Sequence, residues 1–329
     1  MSETTEIIEQ TQAPSQEPEK QEKEIKWSYS RLHTYGDCHF HYKLKYVDKN
    51  YPKFGNIATE FGTAIHHAEE KIANFIKDGQ PIDYIAIKNR FIIDCAKVSY
   101  KYRDEWYSPN KDSGKTYEEQ KYLYLKQYVY DLEKFMAAHP SYIIKGAEVP
   151  IDYYYGKYRF TGSIDRLIYD TATDTYLIQD IKSWPIMENK HEDDCKLPIQ
   201  LGVYSLALSE MYKCDLDKIR CQYDLPLVAQ RFFDAGPAGY LDKSKTQLDK
   251  WFKGIEEENW KPSPSALCAY CPFSVTNPDA EAKLRTLCPY HSIWDRVTRN
   301  KNVMFVPANK WQGIDQHQTV MEDYLKGSE

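Results

Sequence analysis

At 329 residues with 42% apolar side chains, the chain has material for one large domain and a sizeable core. No stretch reaches the apolar length that spans a bilayer, and the polar, acidic start is unlike a secretory signal; the expectation is a cytoplasmic protein whose eight cysteines serve as thiols or metal ligands rather than disulfides. The net charge of −6 counts against a polyanion partner, but residues 1–24 hold seven Glu and two Lys, which leaves about −1 for the rest and room for a basic groove.

Residues 1–24 are Glu, Gln, Thr, Pro and Ser with almost no large apolar residue, and read as a disordered tail. The folded part begins at residue 25. From Trp27 to Tyr46 a helix is expected, capped by Ser28 or Ser30 and running through Leu32 and Tyr35. Cys38 lies within it, either a small buried apolar residue or a ligand whose partners come later. Thr59–Lys77 reads as an amphipathic helix with Phe61, Ile65, Ile72, Phe75 and Ile76 as its apolar stripe. His66 and Glu70 share a face at i,i+4, and Glu69 and Glu70 read as solvated. Residues 81–139 form a helical insertion, Ile82–Trp106 and Tyr117–Ala138, joined by a polar turn at 108–115. Its Tyr and Lys residues either stack bases and meet phosphates or face solvent over an ordinary core.

Tyr142–Tyr155 contains a strand, Gly146–Tyr155, carrying Glu148 and followed by a Gly156-Lys157 turn. Phe160–Asp170 and Tyr176–Ser183 then form a hairpin around the turn TATD. This hairpin brings Asp165, Asp180 and Lys182 close together. Two buried carboxylates side by side are costly without a cation, and a hard divalent ion such as Mg²⁺ prefers such oxygen ligands. Period two puts Asp180 and Lys182 on one face, where Lys182 can orient a water or balance charge on a phosphate. Leu197–Tyr212 reads as a helix with Pro198 in its first turn and with Gln200 and Tyr204 one turn apart. Tyr204 alone could equally pack in the core with its hydroxyl bonded. Strands Lys218–Pro226 and Gln230–Asp234 and a helix Ser244–Glu258 follow. In the Cys-rich segment 260–292, Cys268, Cys271, Cys288 and His291 spell C-x₂-C-x₁₆-C-x₂-H, a spacing that fits structural zinc. Cys95, Cys195, Cys214 and Cys221 have no partner pattern, and the tail 293–329 has no assigned role.

Four segments in order, Gly62-Thr63-Ala64-Ile65-His66, Gly162-Ser163-Ile164-Asp165, Asp180-Ile181-Lys182 and Gln200-x-x-x-Tyr204, resemble the PD-(D/E)XK nuclease superfamily. More narrowly they resemble its RecB-type branch, which includes the CRISPR-associated adaptation nucleases. The resemblance runs from about Trp27 to about His291 and implies an α/β fold, a mixed central sheet of about five strands flanked by helices. It implies His66, Asp165, Asp180 and the Ile181 carbonyl as ligands of Mg²⁺ or Mn²⁺, with Glu148 auxiliary, and Lys182, Gln200 and Tyr204 in the catalytic machinery. In this branch Cys38 joins Cys268, Cys271 and Cys288 around a 4Fe–4S cluster that staples the chain ends together. The gap from Cys271 to Cys288 is longer than the family's usual one, so zinc on Cys268, Cys271, Cys288 and His291 stays open. The implied function is a metal-dependent DNA exonuclease acting on single strands or duplex ends, in recombination, repair or phage DNA processing. The rival is a non-catalytic DNA-binding or scaffold subunit. With no helicase motif present, a helicase or recombination partner would be a separate chain, in the cytoplasm or, for a phage-encoded protein, the host cytoplasm.

Overall fold

The computed structural model describes residues 24–53, 57–96, 131–182, 198–226, 230–277, 280–290, 292–293 and 304–305. The chain opens with β1 (Lys26–Trp27) and α1 (Tyr29–Asp37). Ser28 caps α1 by accepting from the Arg31 amide at 3.2 Å, which satisfies one of the free N–H groups at a helix start. α2 (His39–Tyr42) runs into a π-helical turn at Lys43–Val47. α3 (Ile57–Lys77), α4 (Tyr84–Ala96) and α5 (131–138) follow. Most of the expected insertion, residues 97–130, lies outside the described residues.

The sheet begins with β2 (Tyr142–Tyr155) and β3 (Tyr158–Asp170), antiparallel along nearly their whole length. Gly156 makes the two-residue turn between them at φ +58, a conformation that glycine adopts without a Cβ penalty. Asp170 closes the next turn by accepting from the Ala172 amide and the Thr173 hydroxyl. β4 (Thr175–Ile181) then runs antiparallel to β3. α6 (Ile199–Tyr212) crosses over to β5 (Ile219–Leu225), parallel to β4, and β6 (Gln230–Ala235) closes that edge antiparallel to β5. α7 is Leu241–Glu256. The result is a six-stranded mixed sheet in which β1 contributes only two residues.

β3 is buried without a break from Ile164 to Ile168, because helices cover both faces of the sheet. On one face Ile65 and Ile72 of α3 pack with Ile168 and Ile181. On the other, Leu201 and Val203 of α6 pack with Leu167, Ile178 and Phe252 of α7. A third, smaller core joins Leu44 to Phe273, Leu284 and Cys288, so the start and the Cys-rich end of the folded part meet.

Two boundaries differ from the sequence reading. Glu24, assigned to the tail, is tied to Arg159 at 3.0 Å and to the Tyr154 hydroxyl at 2.9 Å. Ser292–Ile293 pairs with Met304–Phe305 in a small separate ribbon, so the boundary drawn at 292 falls inside a strand.

Candidate functional site

β3 and β4 are paired only from Arg166↔Gln179 to Asp170↔Thr175. Further back, β3 takes β1 as its neighbour at Arg159 and Phe160. The two strands therefore fork at Asp165. There a carboxylate replaces the backbone ladder: Asp165 Oδ2 accepts from the Ile181 amide at 2.6 Å. On its far side β4 stays paired, since the Lys182 amide donates to the Asp224 carbonyl at 2.8 Å.

Glu148 sits across the other edge of β3. It lies between the pairs Ala147↔Arg166 and Val149↔Ile164, so it faces Asp165 across an antiparallel pair, where like charges repel. Its φ of +48 is a conformation that costs a residue with a Cβ, and such strain gathers at functional sites. Ser163 Oγ donates to its Oε2 at 2.5 Å. α3 brings His66, with Nδ1 3.5 Å from Asp165 Oδ1 and 3.6 Å from Glu148 Oε1. One ligand atom from each of these three residues falls within 4.8 Å of the others. His67, next on the helix, turns away to Asp94 of α4 at 2.8 Å.

Asp180 is buried at 0% exposure, and its Oδ1 has no hydrogen bond among the described residues. Its Oδ2 is paired with the Lys182 ammonium, 2.7 Å from Nζ. Burial raises the Asp180 carboxyl to about 6, with Lys182 opposing and Asp165 adding to the rise. For Asp165, burial works upward too, but the hydrogen bond and charge of His66, then Lys182 and the Ile181 amide, hold it below the usual carboxylate range. Burial pulls His66 down; Asp165 and Glu148 outweigh it and bring the imidazole up to about 10. The site draws positive charge. Its ligand atoms are hard carboxylate oxygens and one imidazole, and one buried carboxylate oxygen has no hydrogen bond among the described residues, a set that fits Mg²⁺ or Mn²⁺.

A chain of hydrogen bonds leads from this centre into α6. Lys182 Nζ donates to Gln200 Oε1 at 2.7 Å, and Gln200 Nε2 donates to the Tyr204 hydroxyl at 2.9 Å. Tyr204 is 7% exposed and belongs to the main core. Burial first, then the charges of Asp180 and Asp165, keep its phenol well above its usual range and so neutral. Its contact is with Gln200, and through it with Lys182. An open cavity of about 510 Å³, lined by Thr63, His66, Glu70 and Glu148, leads to the centre from solvent.

Beneath the centre lies a group that the sequence reading missed. Glu69 was expected in solvent. It is 2% exposed and paired with Arg166, which is itself 0% exposed. Arg166 also donates to Gln179 Oε1 and Asp224 Oδ2, each at 2.7 Å. One guanidinium thereby ties α3, β3, β4 and β5 together beside Asp165 and Asp180. In the sequence its only signal is a charge between apolar residues in a strand buried on both faces, which demands a buried partner.

Cys38, Cys268, Cys271 and Cys288 line a second cavity of about 200 Å³. Cys38 Sγ accepts from the Ser263 amide and Cys268 Sγ from the Ser265 amide, each at 3.4 Å. Burial, with the nearby Cys38 and Cys268, pushes the Cys288 thiol up to about 12. Among the described residues no three of these sulfurs fall within 4.8 Å of one another. Four sulfurs around one zinc would be about 3.8 Å apart at the usual bond length of about 2.3 Å. His291, the fourth ligand of the zinc alternative, lies outside the described residues. Of the other cysteines, Cys221 is buried, Cys214 is partly buried, and Cys195 lies outside the described residues.

The forked strand pair thus presents acidic groups and a lysine, with a helix-borne histidine beside them. The PD-(D/E)XK nuclease superfamily model matches residues 26–276, and the chain belongs to that superfamily. Among solved structures, a candidate exonuclease from Eubacterium rectale is similar at 10% identity and a TM-score of 0.42, over 75% of this chain and 86% of that one. SSO0001 is similar at 17% identity and a TM-score of 0.28, over 55% of this chain and 80% of that one. No curated protein matches the sequence. Among the described residues no helix is long and apolar enough to cross a membrane.

Proposed function

We propose that the protein is a divalent-metal-dependent deoxyribonuclease, an exonuclease on single strands or duplex ends. The observation that carries this reading is the buried pair Asp165 and Asp180, with His66 and Glu148 beside them. Carboxylates gathered so closely in a buried site are costly to hold without a further cation. His66, Glu148, Asp165, Asp180 and the Ile181 carbonyl would hold Mg²⁺ or Mn²⁺. Such an ion lowers the pKa of water and neutralises phosphate charge.

The chain's own groups do the rest. Two contacts of the Lys182 ammonium go to Asp180 and Gln200. Its third N–H is left for water or a phosphate oxygen. Gln200 holds Lys182 in that place, and Tyr204, locked in the core, holds Gln200. Tyr204 is thus a positioning residue. Asp180→Ala and Lys182→Ala proteins, given end-labelled single- and double-stranded DNA with Mn²⁺, are expected to bind without cutting. Cutting by either at the wild-type rate would overturn the assignment.

For the cysteines we propose a 4Fe–4S cluster rather than zinc. It is supported by the four thiols lining one cavity and by amide hydrogen bonds to two of them, since such clusters are tuned by hydrogen bonds to their sulfurs.

A further inference from the structure

Between the cysteine cavity and α3 runs a strap, residues 43–53, that the proposed chemistry does not use. It holds Lys43, Lys45, Lys49 and Lys53 against a single acid, Asp48, in a chain whose net charge is −6. Lys43 is spent on Asp48, at 2.7 Å. The strap is pinned at both ends. Leu44 is buried in the third core, and the Lys53 amide donates to Glu281 Oε1. The Leu44 carbonyl receives both the amide and the side chain of Asn50, closing the loop on itself.

This braced loop carries one ring outward, Tyr51, beside the half-buried Tyr46. Tyr51 is 55% exposed, and its ring stands 6.4 Å from that of Tyr46. The Arg31 guanidinium sits 4.8 Å over Tyr46, and Lys45 Nζ 5.1 Å from the same ring. A merely solvated face has no need of an exposed tyrosine flanked by lysines on a braced turn. Cations beside open rings are what single-stranded nucleic acid takes: phosphates meet the ammonium groups and bases stack on the rings. The strap ends four residues before α3, whose His66 lies about 14 Å along the helix at about 1.5 Å per residue.

We infer that residues 43–53 are a binding site for single-stranded nucleic acid, feeding a strand towards the cleft at His66; this deepens the nuclease reading and rests on it. The test uses the full chain in EDTA with a fluorescent oligothymidylate of about 20 nucleotides, longer than the roughly 4–16 nucleotides one binding fold covers. Tyr51→Ala is expected to raise the Kd about five-fold or more. Lys45→Ala with Lys49→Ala is expected to flatten the slope of log K against log salt by about 1.4, about 0.7 for each lost single-strand phosphate contact. Melting temperatures should stay within about 4 °C of the wild-type value, since Tyr51 is exposed and the lysine variants give up one surface contact, that of Lys45 with the Tyr46 ring. If all these variants keep the wild-type Kd and salt slope, the strap is not a nucleic-acid site. Addition of Mn²⁺ to the same mixtures separates the two claims. Weakened binding by the variants, with no cutting by wild type, would leave the strap standing and remove the nuclease assignment.

Discussion

Asp180 shows how one residue sets stability against function. Its carboxyl is raised from the usual 3.8 to about 6 by burial. A raised acid stabilises the fold fully below its unfolded pKa, and that contribution is lost as pH rises through the folded one. The metal-free protein therefore loses stability between about pH 4 and 6 on account of this group, in all up to about 3 kcal/mol. Asp180→Asn is expected to melt higher than wild type at pH 8 in EDTA, with the gap closing towards pH 4. Mn²⁺ at about a hundred times its Kd should then stabilise wild type by about 2.7 kcal/mol and the variant far less. A variant that melts no higher than wild type at pH 8 would mean that the buried charge costs nothing. Arg166 behaves in the opposite sense. Arg166→Met strands Glu69 without its ion-pair partner and leaves Asp224 to Arg231, and urea unfolding is expected to show a loss of about 3–5 kcal/mol.

At the scale of elements, α6 matters because Gln200 and Tyr204 ride on it. Gly202 faces α7 so closely that a Cβ there would lie 2.7 Å from Ser244 Cβ. Alanine in a helix is ordinarily worth about 1 kcal/mol over glycine. Here the overpacking cost of about 1–3 kcal/mol wins, so Gly202→Ala should lower both the urea midpoint and the cleavage rate; a gain in stability would show that α6 and α7 separate without cost. The contrast between these elements also explains what could be read from the sequence. The hairpin carrying Asp165 and Asp180 was legible because alternation, a turn of small polar residues and a D-x-K strand all agree. The C-terminal end of β2 was legible because Gly156 marks its turn, whereas its start at Tyr142 lies four residues before the strand the sequence suggested. Glu69 was not, because on a helix wheel it looks like any charged residue beside Glu70. Its burial is decided by Arg166 on a strand 97 residues away. Gly202 gave no signal at all, since its reason is the neighbouring helix. Nor did composition reveal that β3 and β4 fork, which is a matter of pairing and not of propensity.

For the whole molecule, the cysteine centre does work that the sheet cannot. The two large cores lie on the two faces of the sheet, whereas the third holds four buried residues among the described ones, Leu44, Phe273, Leu284 and Cys288. The main core holds the start of the chain through Tyr35 and Tyr42 as far as Trp260, but beyond that ring the Cys-rich segment has the small core, and its contact with Cys38 at Ser263 spans 225 residues. Closing a loop of that length removes about 5 kcal/mol of unfolded-chain entropy in the cross-link picture, the scale at which a cofactor decides whether a region stays folded. Purified wild type is accordingly expected to be brown and to carry about four irons per chain, against one zinc for a mononuclear site. Cys271→Ser should lose both colour and iron. Because the sheet has its own cores, the damage should be local: limited proteolysis is expected to cut the variant first within 38–53 and 263–277, leaving strands β2 to β6 and helices α6 and α7 as resistant as in wild type. That pattern would also carry the strap with it, since Leu44 and Glu281 anchor it to the same centre. An iron-free chain with wild-type resistance in both segments would show that the thiols hold nothing the fold requires.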